Sequence, residues 1–279
     1  MINYLFIGGG NMAKAIIHGM CNSYNKLNDT SNENIKSIYV VDKNFQTHHE
    51  LNKLGCVTFN HIQDTENVLA NIDCIILAVK PQDSINVMHE LSELLKSNCK
   101  NDLLIISIMA GINIKTITKH LNYPCIRCMP NTPLIVNKGA SALVGVNISE
   151  SQKNIANNMF ESSGITCWLE DEEKLHAVTA LSGSGPAYVF YLLKAMQDIA
   201  VKLDLPIDIA RKLISQTFSG AAQMALEIDK DLLDMQKAVM SKGGTTEKAI
   251  YSFEENNIAE LIADGLIQAY KRSKEIENI

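Results

Sequence analysis

Along the first 168 residues, short runs of apolar and β-branched positions alternate with longer stretches in which apolar residues recur every three or four places. The runs 4–7, 38–41, 74–79, 103–107 and 124–129 are apolar on both faces, the pattern of strands buried between two layers. Segments 11–22, 45–54 and 82–95 have helical spacing. This alternation predicts repeated strand-helix-strand units, hence an α/β fold with a doubly wound, Rossmann-type parallel sheet. Residues 141–146 and 165–168 are further strand candidates that would extend one edge.

After residue 170 the strand pattern stops. Helical spacing continues through 172–181, 187–203, 207–228, 232–241, 247–254 and 258–275, and Pro206 suits the opening of the third of these. Two domains follow: an α/β domain over residues 1–170 and an all-helical one over 171–279, in a chain of 279 residues that is long enough for two cores. Residues 22–34 carry five asparagines and little that is apolar, which predicts a solvated loop ahead of the second strand. No internal repeat is evident. Met224, Leu226, Leu261, Ile262, Leu266 and Ile267 ask for more apolar partners than a bundle of that size readily offers, so subunit interfaces are expected; packing within one bundle is the alternative.

Composition narrows the class of partner. Twenty-five basic against thirty-one acidic residues give a net charge of −6, and no basic stripe suited to a phosphate backbone is present. The longest apolar stretch, 103–112, is interrupted by Ser107 and falls well short of the ~20 residues that cross a bilayer. Nucleic acid and membrane are therefore not expected. Seven cysteines, an odd number, are scattered from Cys21 to Cys167, and no basic region precedes an apolar stretch at the N-terminus. Together these predict free thiols in a reducing, cytoplasmic compartment.

Chemistry begins at the end of the first predicted strand. Gly8-Gly9-Gly10-Asn11-Met12-Ala13 has the form Gly-x-Gly-x-x-Ala and leads into the first predicted helix. Gly8 permits a tight turn, Gly10 lets a diphosphate approach the backbone, and Ala13 keeps helix and strand close; the unpaired N–H groups of the helix start then face the anion. Asp42, directly after the second predicted strand, is placed to accept hydrogen bonds from an adenosine ribose and to disfavour a 2′-phosphate. Lys43 beside it offers the opposite charge, so NADH is the weakly favoured cofactor and NADPH stays open.

Residues 177–190 are the most specific stretch in the chain. Its core, Leu181-Ser182-Gly183-Ser184-Gly185-Pro186-Ala187-Tyr188-Val189-Phe190, together with Ser241-Lys242-Gly243-Gly244-Thr245-Thr246, resembles the signature of the Δ1-pyrroline-5-carboxylate reductases. The resemblance covers most of the chain. It implies hydride transfer from NADH or NADPH to the cyclic imine of L-1-pyrroline-5-carboxylate in the last step of proline biosynthesis. It also implies that the helical domain dimerises, as a homodimer or a ring of dimers, with the active site between the two domains.

Several residues take expected roles from that likeness. Ala78-Val79-Lys80-Pro81 resembles a family segment bordering the dinucleotide, with Ser107, Met109 and Ala110 in the equivalent place one strand on; Pro81 also suits an ordinary helix start. Met129-Pro130-Asn131-Thr132-Pro133 has the family form, and Asn131 is expected on the nicotinamide side, with a rigid turn as the competing account. Consecutive glycines before a helix expose backbone N–H groups that suit a carboxylate, and the resemblance gives this task to Ser241, Gly243, Gly244 and Thr245. Thr246 would contact the ring nitrogen and is the expected catalytic group. Lys242 replaces the family's usual proline, removing a torsional restraint. Glu172 and Asp229 are weaker candidates for balancing the iminium charge, and Glu172 is retained among the substrate-binding residues.

Other groupings carry less. Cys125 and Cys128 lie in a predicted strand whose alternation sends them to opposite faces, so no metal is expected there. His48-His49-Glu50 reads as a polar helix face, and no Ser, His and Asp grouping is indicated. A β-hydroxyacid dehydrogenase is the nearest alternative enzyme, but neither the Gly-Gly-Thr-Thr loop nor the Ser-Gly-Ser-Gly-Pro run belongs to it. A nucleotide-sensing protein without turnover would not need Ser241 and Thr246.

Overall fold

The computed structural model of the chain describes residues 1–26, 35–96 and 99–277. They form two compact units, Met1–Ser184 joined by the chain from Tyr270 on, and Gly185–Ala269.

The first unit is built on eight strands: β1 (Ile2–Ile7), β2 (Ile35–Val41), β3 (Val57–Phe59), β4 (Cys74–Leu77), β5 (Leu104–Ser107), β6 (Cys125–Met129), β7 (Gly139–Val146) and β8 (Gly164–Trp168). Their order is β3-β2-β1-β4-β5-β6-β7-β8, so the sheet reverses direction of growth between β1 and β4. That reversal opens the crevice in which such sheets bind ligands. All pairings are parallel except β6 with β7. The expected parallel sheet thus carries one antiparallel pairing. The cause is local: only residues 130–138 join β6 to β7, too short a link for a crossover, and a strand returning directly must run antiparallel.

Alternate side chains of each central strand feed two cores. Tyr4 and Phe6 of β1, Cys74 and Ile76 of β4, and Leu104 and Ile106 of β5 face one layer, with Leu5, Ile7, Ile75, Leu77 and Ile105 on the other. The first layer receives α1 (Asn11–Lys26), α2 (Phe45–Asn52) and α6 (Glu150–Glu161); the second receives α3 (Glu66–Leu69), α4 (Ser84–Leu95), α5 (Ile114–His120) and α7 (Lys174–Val178). Of the loop expected at 22–34, residues through Lys26 continue α1, and 27–34 lie outside the described residues.

The second unit contains α8 (Gly185–Lys202), α9 (Ile207–Glu227), α10 (Leu232–Ala238), α11 (Thr245–Glu255) and the first half of α12 (Ile258–Glu277). Pro206 precedes α9 as its cap, without entering it. Within this unit only Ala200 and Ala210 among the apolar side chains are buried, while Phe190, Tyr191, Leu226 and Leu261 are each more than 60 % exposed. Apolar helix faces of this extent call for a partner surface.

Strands give way to helices at residue 170, but packing divides the chain later. Residues through Ser184, and the last turns of α12, belong to the sheet unit. Ion pairs and hydrogen bonds from β6 and α7 to α12 hold them there, as set out below.

Candidate functional site

The glycine turn is fixed from three sides. Gly8 donates its N–H to the Val41 carbonyl at 2.8 Å, and its φ of +102° is a left-handed value that only glycine adopts without strain. A Cβ there would lie 2.7 Å from the Ala78 carbonyl oxygen. Gly9 donates to Asp42 Oδ2 at 2.7 Å, and a Cβ on it would meet Thr47 Cγ2 at 2.6 Å. Gly10 differs: its carbonyl accepts from Lys14 N–H at the start of α1, and the space where a Cβ would stand is open to 4 Å. Open space ahead of unpaired helix N–H groups is what a diphosphate requires, so these residues fit a dinucleotide. Asn11 and Met12 sit in that first turn, and Ala13, 1 % exposed, fills the tight contact beneath it.

Asp42 carries a task that the sequence did not suggest. Besides Gly9, its other oxygen accepts the Asn44 N–H at 2.8 Å, so one carboxylate clamps the glycine turn to the end of β2. Each oxygen keeps a second lone pair with which to meet a ribose. Lys43 is exposed beside it. His48, in α2, reaches the Asp42 carbonyl and Glu50 pairs with Lys14, so the His48-His49-Glu50 face supports the same corner.

The neighbouring strands end in register with this turn. Ala78 N–H donates to Ile7 O at 2.9 Å and Ile108 N–H to Leu77 O at 3.0 Å, bringing the loops after β4 and β5 to the same rim as Gly8. β4 stops at Leu77, so Ala78 and Val79 belong to the loop and not to the strand as predicted. Lys80 and Pro81 are exposed; Lys80 caps and Pro81 opens a short 3-10 turn, Pro81–Asp83, so Pro81 does start a helical turn. Ala110 is exposed in the next loop, while Ser107 is buried and its Oγ accepts from Met109 N–H at 3.3 Å.

Asn131 is 9 % exposed, and its polar groups are spent on the protein. Oδ1 accepts Ala140 N–H at 2.9 Å, Nδ2 donates to the Ser182 carbonyl at 3.3 Å and hydroxyl at 3.2 Å, and its carbonyl accepts Leu134 N–H. It wires the loop after β6 to the signature stretch. That stretch contains a π-helical turn, Thr179–Gly183, closed by Ser184 N–H on Thr179 O at 2.8 Å. Such widened turns frequently accompany functional sites. Gly183 packs against Met129, whose Cε would lie 2.6 Å from a Cβ there. Glu172 also serves the scaffold: its Oε1 accepts from Arg127 at 2.7 Å and from Ile114 N–H at 2.8 Å.

The second glycine loop stands alone in the helical unit. Gly243 has φ +73° and open space around its Cβ position; Gly244 caps α11, and its N–H donates to the Ser241 carbonyl at 2.9 Å. Gly243 N–H donates to Glu247 Oε2 at 2.7 Å. The loop's own groups thus hold both glycine N–H donors. Those of Thr245 and Thr246 remain in the first turn of α11, with Thr246 half-buried and Ser241 exposed. Asp229 and Lys242 are exposed.

Arg127 was not singled out from the sequence, although a lone charge inside a buried strand is itself a signal. Cys125 and Cys128 do fall in opposite cores. Burial pushes the Cys125 thiol up to about 12 and the Cys128 thiol well above the usual range, as for inert core thiols.

A sheet reversing at β1, a glycine turn closing on a helix start, and a carboxylate at the end of β2 define a dinucleotide-binding domain of the kind that nicotinamide-dependent oxidoreductases carry. Residues 3–111 match the family model described as NADP oxidoreductase coenzyme F420-dependent, and 172–276 that described as pyrroline-5-carboxylate reductase dimerisation. The pyrroline-5-carboxylate reductase of Pseudomonas aeruginosa is 35 % identical over 274 residues, covering 97 % of this chain and 95 % of that one; its Haemophilus influenzae counterpart is 34 % identical over 98 % and 97 %. The chain belongs to the pyrroline-5-carboxylate reductase family. A solved reductase from Coxiella burnetii superimposes with a TM-score of 0.86 at 34 % identity, over 99 % of this chain and 98 % of that one. One from Plasmodium falciparum, solved with NADP bound, superimposes with a TM-score of 0.81 at 26 % identity, over 99 % and 98 %.

Proposed function

We propose that this chain reduces L-1-pyrroline-5-carboxylate to L-proline with NADH or NADPH, the last step of proline biosynthesis. The observation that carries the reading is the pairing, in one chain, of the open glycine turn at α1 with the Ser241–Thr246 loop at α11, in which Gly243 takes a left-handed φ of +73°. One holds a diphosphate and the other a carboxylate.

Gly8, Gly10, Asn11 and Met12 hold the diphosphate, Asp42 and Lys43 the adenosine end, and Ala78, Val79, Lys80, Pro81, Ala110 and the Asn131 loop line the rest. When bound, the reduced nicotinamide supplies the hydride that adds to C5 of the imine. The remaining work is placement and charge. Thr245 and Thr246 N–H groups and the Ser241 hydroxyl grip the substrate carboxylate, and Gly243 and Gly244 shape the turn. The Thr246 hydroxyl orients the ring nitrogen, which must carry a proton for C5 to accept the hydride and ends as the amine of proline.

Residues 1–170 then serve as the dinucleotide-binding domain and 171–279 as the dimerisation and substrate domain. Exposed apolar faces of α8, α9 and α12 fit assembly into homodimers or rings of dimers. The carboxylate of Asp42 tilts the choice toward NADH. All seven cysteines are free, which fits the cytoplasm, and no helix among the described residues is long and apolar enough to cross a membrane.

Following oxidation of NADH and NADPH with pyrroline-5-carboxylate, with a hydroxy acid and with no substrate tests the reading. Rapid, proline-forming oxidation is expected in the first arm alone. Oxidation with the hydroxy acid, or none with the imine, would overturn it.

A further inference from the structure

We propose that Arg127 is a positioning residue for hydride transfer, acting through a buried ion network that the last turn of α12 completes and that braces the loops carrying Ala110 and Asn131. The inference rests on the reductase reading above.

Arg127 sits in the middle of β6, 7 % exposed, among Cys125, Ile126 and Cys128. Its Nη1 donates to Glu172 Oε1 at 2.7 Å and to Glu277 Oε1 at 2.8 Å. Each carboxylate reaches further. Glu172 Oε1 also accepts the N–H of Ile114, the first residue of α5, and so pins the far end of the loop that begins after β5 and carries Ala110. Glu277 Oε2 lies 2.6 Å from His176 Nε2, and His176 Nδ1 lies 2.9 Å from Ser273 Oγ, one turn back along α12. Between these, Ile276 covers Gly111, next to Ala110: a Cβ on Gly111 would meet Ile276 Cγ2 at 2.6 Å.

Two loops are thereby tied to one guanidinium. The loop after β5 is held through Glu172 and Ile276, and the loop after β6 begins three residues beyond Arg127 itself. Buried ion pairs add little net stability over well-packed apolar side chains, so the arginine in this strand points to geometry as its use. Both carboxylates meet the one Nη1, so what lysine would lose is not the number of donors but the rigid, planar placement of that nitrogen, which a flexible ammonium stem does not reproduce. The ligand atoms of Glu173, His176 and Glu277 lie within 4.8 Å of one another, but Arg127 and Lys274 already neutralise the carboxylates, so the cluster is built as an ion network and not as a cation site.

The test uses the full-length enzyme with Glu277→Gln, Glu172→Gln and Arg127→Lys. Cofactor Kd is read by nicotinamide fluorescence, turnover with pyrroline-5-carboxylate, the kinetic isotope effect with cofactor deuterated at the transferred position, and thermal melting. Glu277→Gln is expected to lower kcat on the order of 10-fold, as a small misplacement of reacting groups does, with Kd changed less than about two-fold and a larger isotope effect. Glu277→Asp should recover part of the loss, and Arg127→Lys should not. If Arg127→Lys fails to fold, Glu277→Gln carries the test. Unchanged kcat and isotope effect in folded Glu277→Gln and Glu172→Gln would overturn the proposal, as would a loss that vanishes once assay temperature is lowered below each variant's melt. A wild-type enzyme inactive on the imine would instead overturn the functional reading.

Discussion

Two helices of this chain begin behind adjacent glycines, and the ground beneath them differs. At α1 the turn is walled in: Gly8 faces the Ala78 carbonyl, Gly9 is clamped by Asp42 and backed by Thr47, and Ala13 seals the base. At α11 nothing stands within 4 Å of the Cβ position at Gly243, and the loop is closed by its own Ser241 and Glu247. Both are proposed as anion sites by the same physics of unpaired N–H groups. The first is assembled by the folding of a sheet, whereas the second is held only by bonds within seven residues. On the proposed assignment, cofactor grip is a property of the core, while substrate grip depends on a few local hydrogen bonds that a single side chain can reset.

The sharpest way to break this contrast is to place a methyl group at each turn. Gly8→Ala combines a forbidden torsion with a 2.7 Å clash against the backbone at Ala78. A cost of roughly 3 kcal/mol is expected, seen as a loss of stability in denaturant melts and about a 100-fold rise in cofactor Kd. Gly243→Ala meets only the torsional term, about 1 kcal/mol, and should leave cofactor Kd alone while raising KM for the imine several-fold. Equal effects from both would show that the turns are supported alike.

Next in size is Thr246→Ala. If the hydroxyl orients the ring nitrogen, turnover should fall on the order of 100-fold while the cofactor still titrates normally. Near-normal turnover would leave the α11 loop as a carboxylate grip alone.

How much of this was legible in the chain follows the same divide between local and distant causes. The glycine turn could be read because torsion and close approach act on adjacent residues, and the central strands because both faces are apolar. β3 escaped because it is three residues long and half-exposed. α6 escaped because its face is polar, although Ser149 and Gln152 form a capping box that marks its start. The π turn at Thr179–Gly183 has no spacing of its own. Neither does the Arg127 network, whose members at 127, 172, 176 and 277 are brought together only by tertiary packing. The side-chain tie of Asn131 to Ser182, fifty-one residues away, left no local pattern either.

Asp42 sharpens the comparison from the cofactor side, because it has both a structural and a selective task. Asp42→Asn keeps one acceptor oxygen for the turn and removes the charge that repels a 2′-phosphate. The ratio of kcat/KM for NADPH over NADH should rise about 10-fold, equivalent to roughly 1.4 kcal/mol. A ratio that stays put while both cofactors weaken together would show the carboxylate to be a clamp only.

The smallest expected effect falls on the looser turn. Glu247 places a carboxylate on the Gly243 N–H, within the nest proposed to receive the carboxylate of the substrate. Its removal acts in two opposed ways: a donor and a like charge are released, which favours the incoming anion, and one bond closing the loop is lost, which disfavours order. Gly244 N–H still donates to the Ser241 carbonyl, and Gly244 still caps α11, so the turn keeps its main closure without Glu247. The electrostatic gain should then prevail by about 0.5–1 kcal/mol, the scale of an exposed charge interaction, and KM for pyrroline-5-carboxylate in Glu247→Ala should fall about three-fold with kcat unchanged. Because an exposed pair of like charges is screened, the gain should shrink as salt is added to the assay. A rise in KM that ignores salt would mean that Glu247 holds the nest open for substrate, and the turn at α11 would then be braced by its own helix in the way the turn at α1 is braced by the sheet.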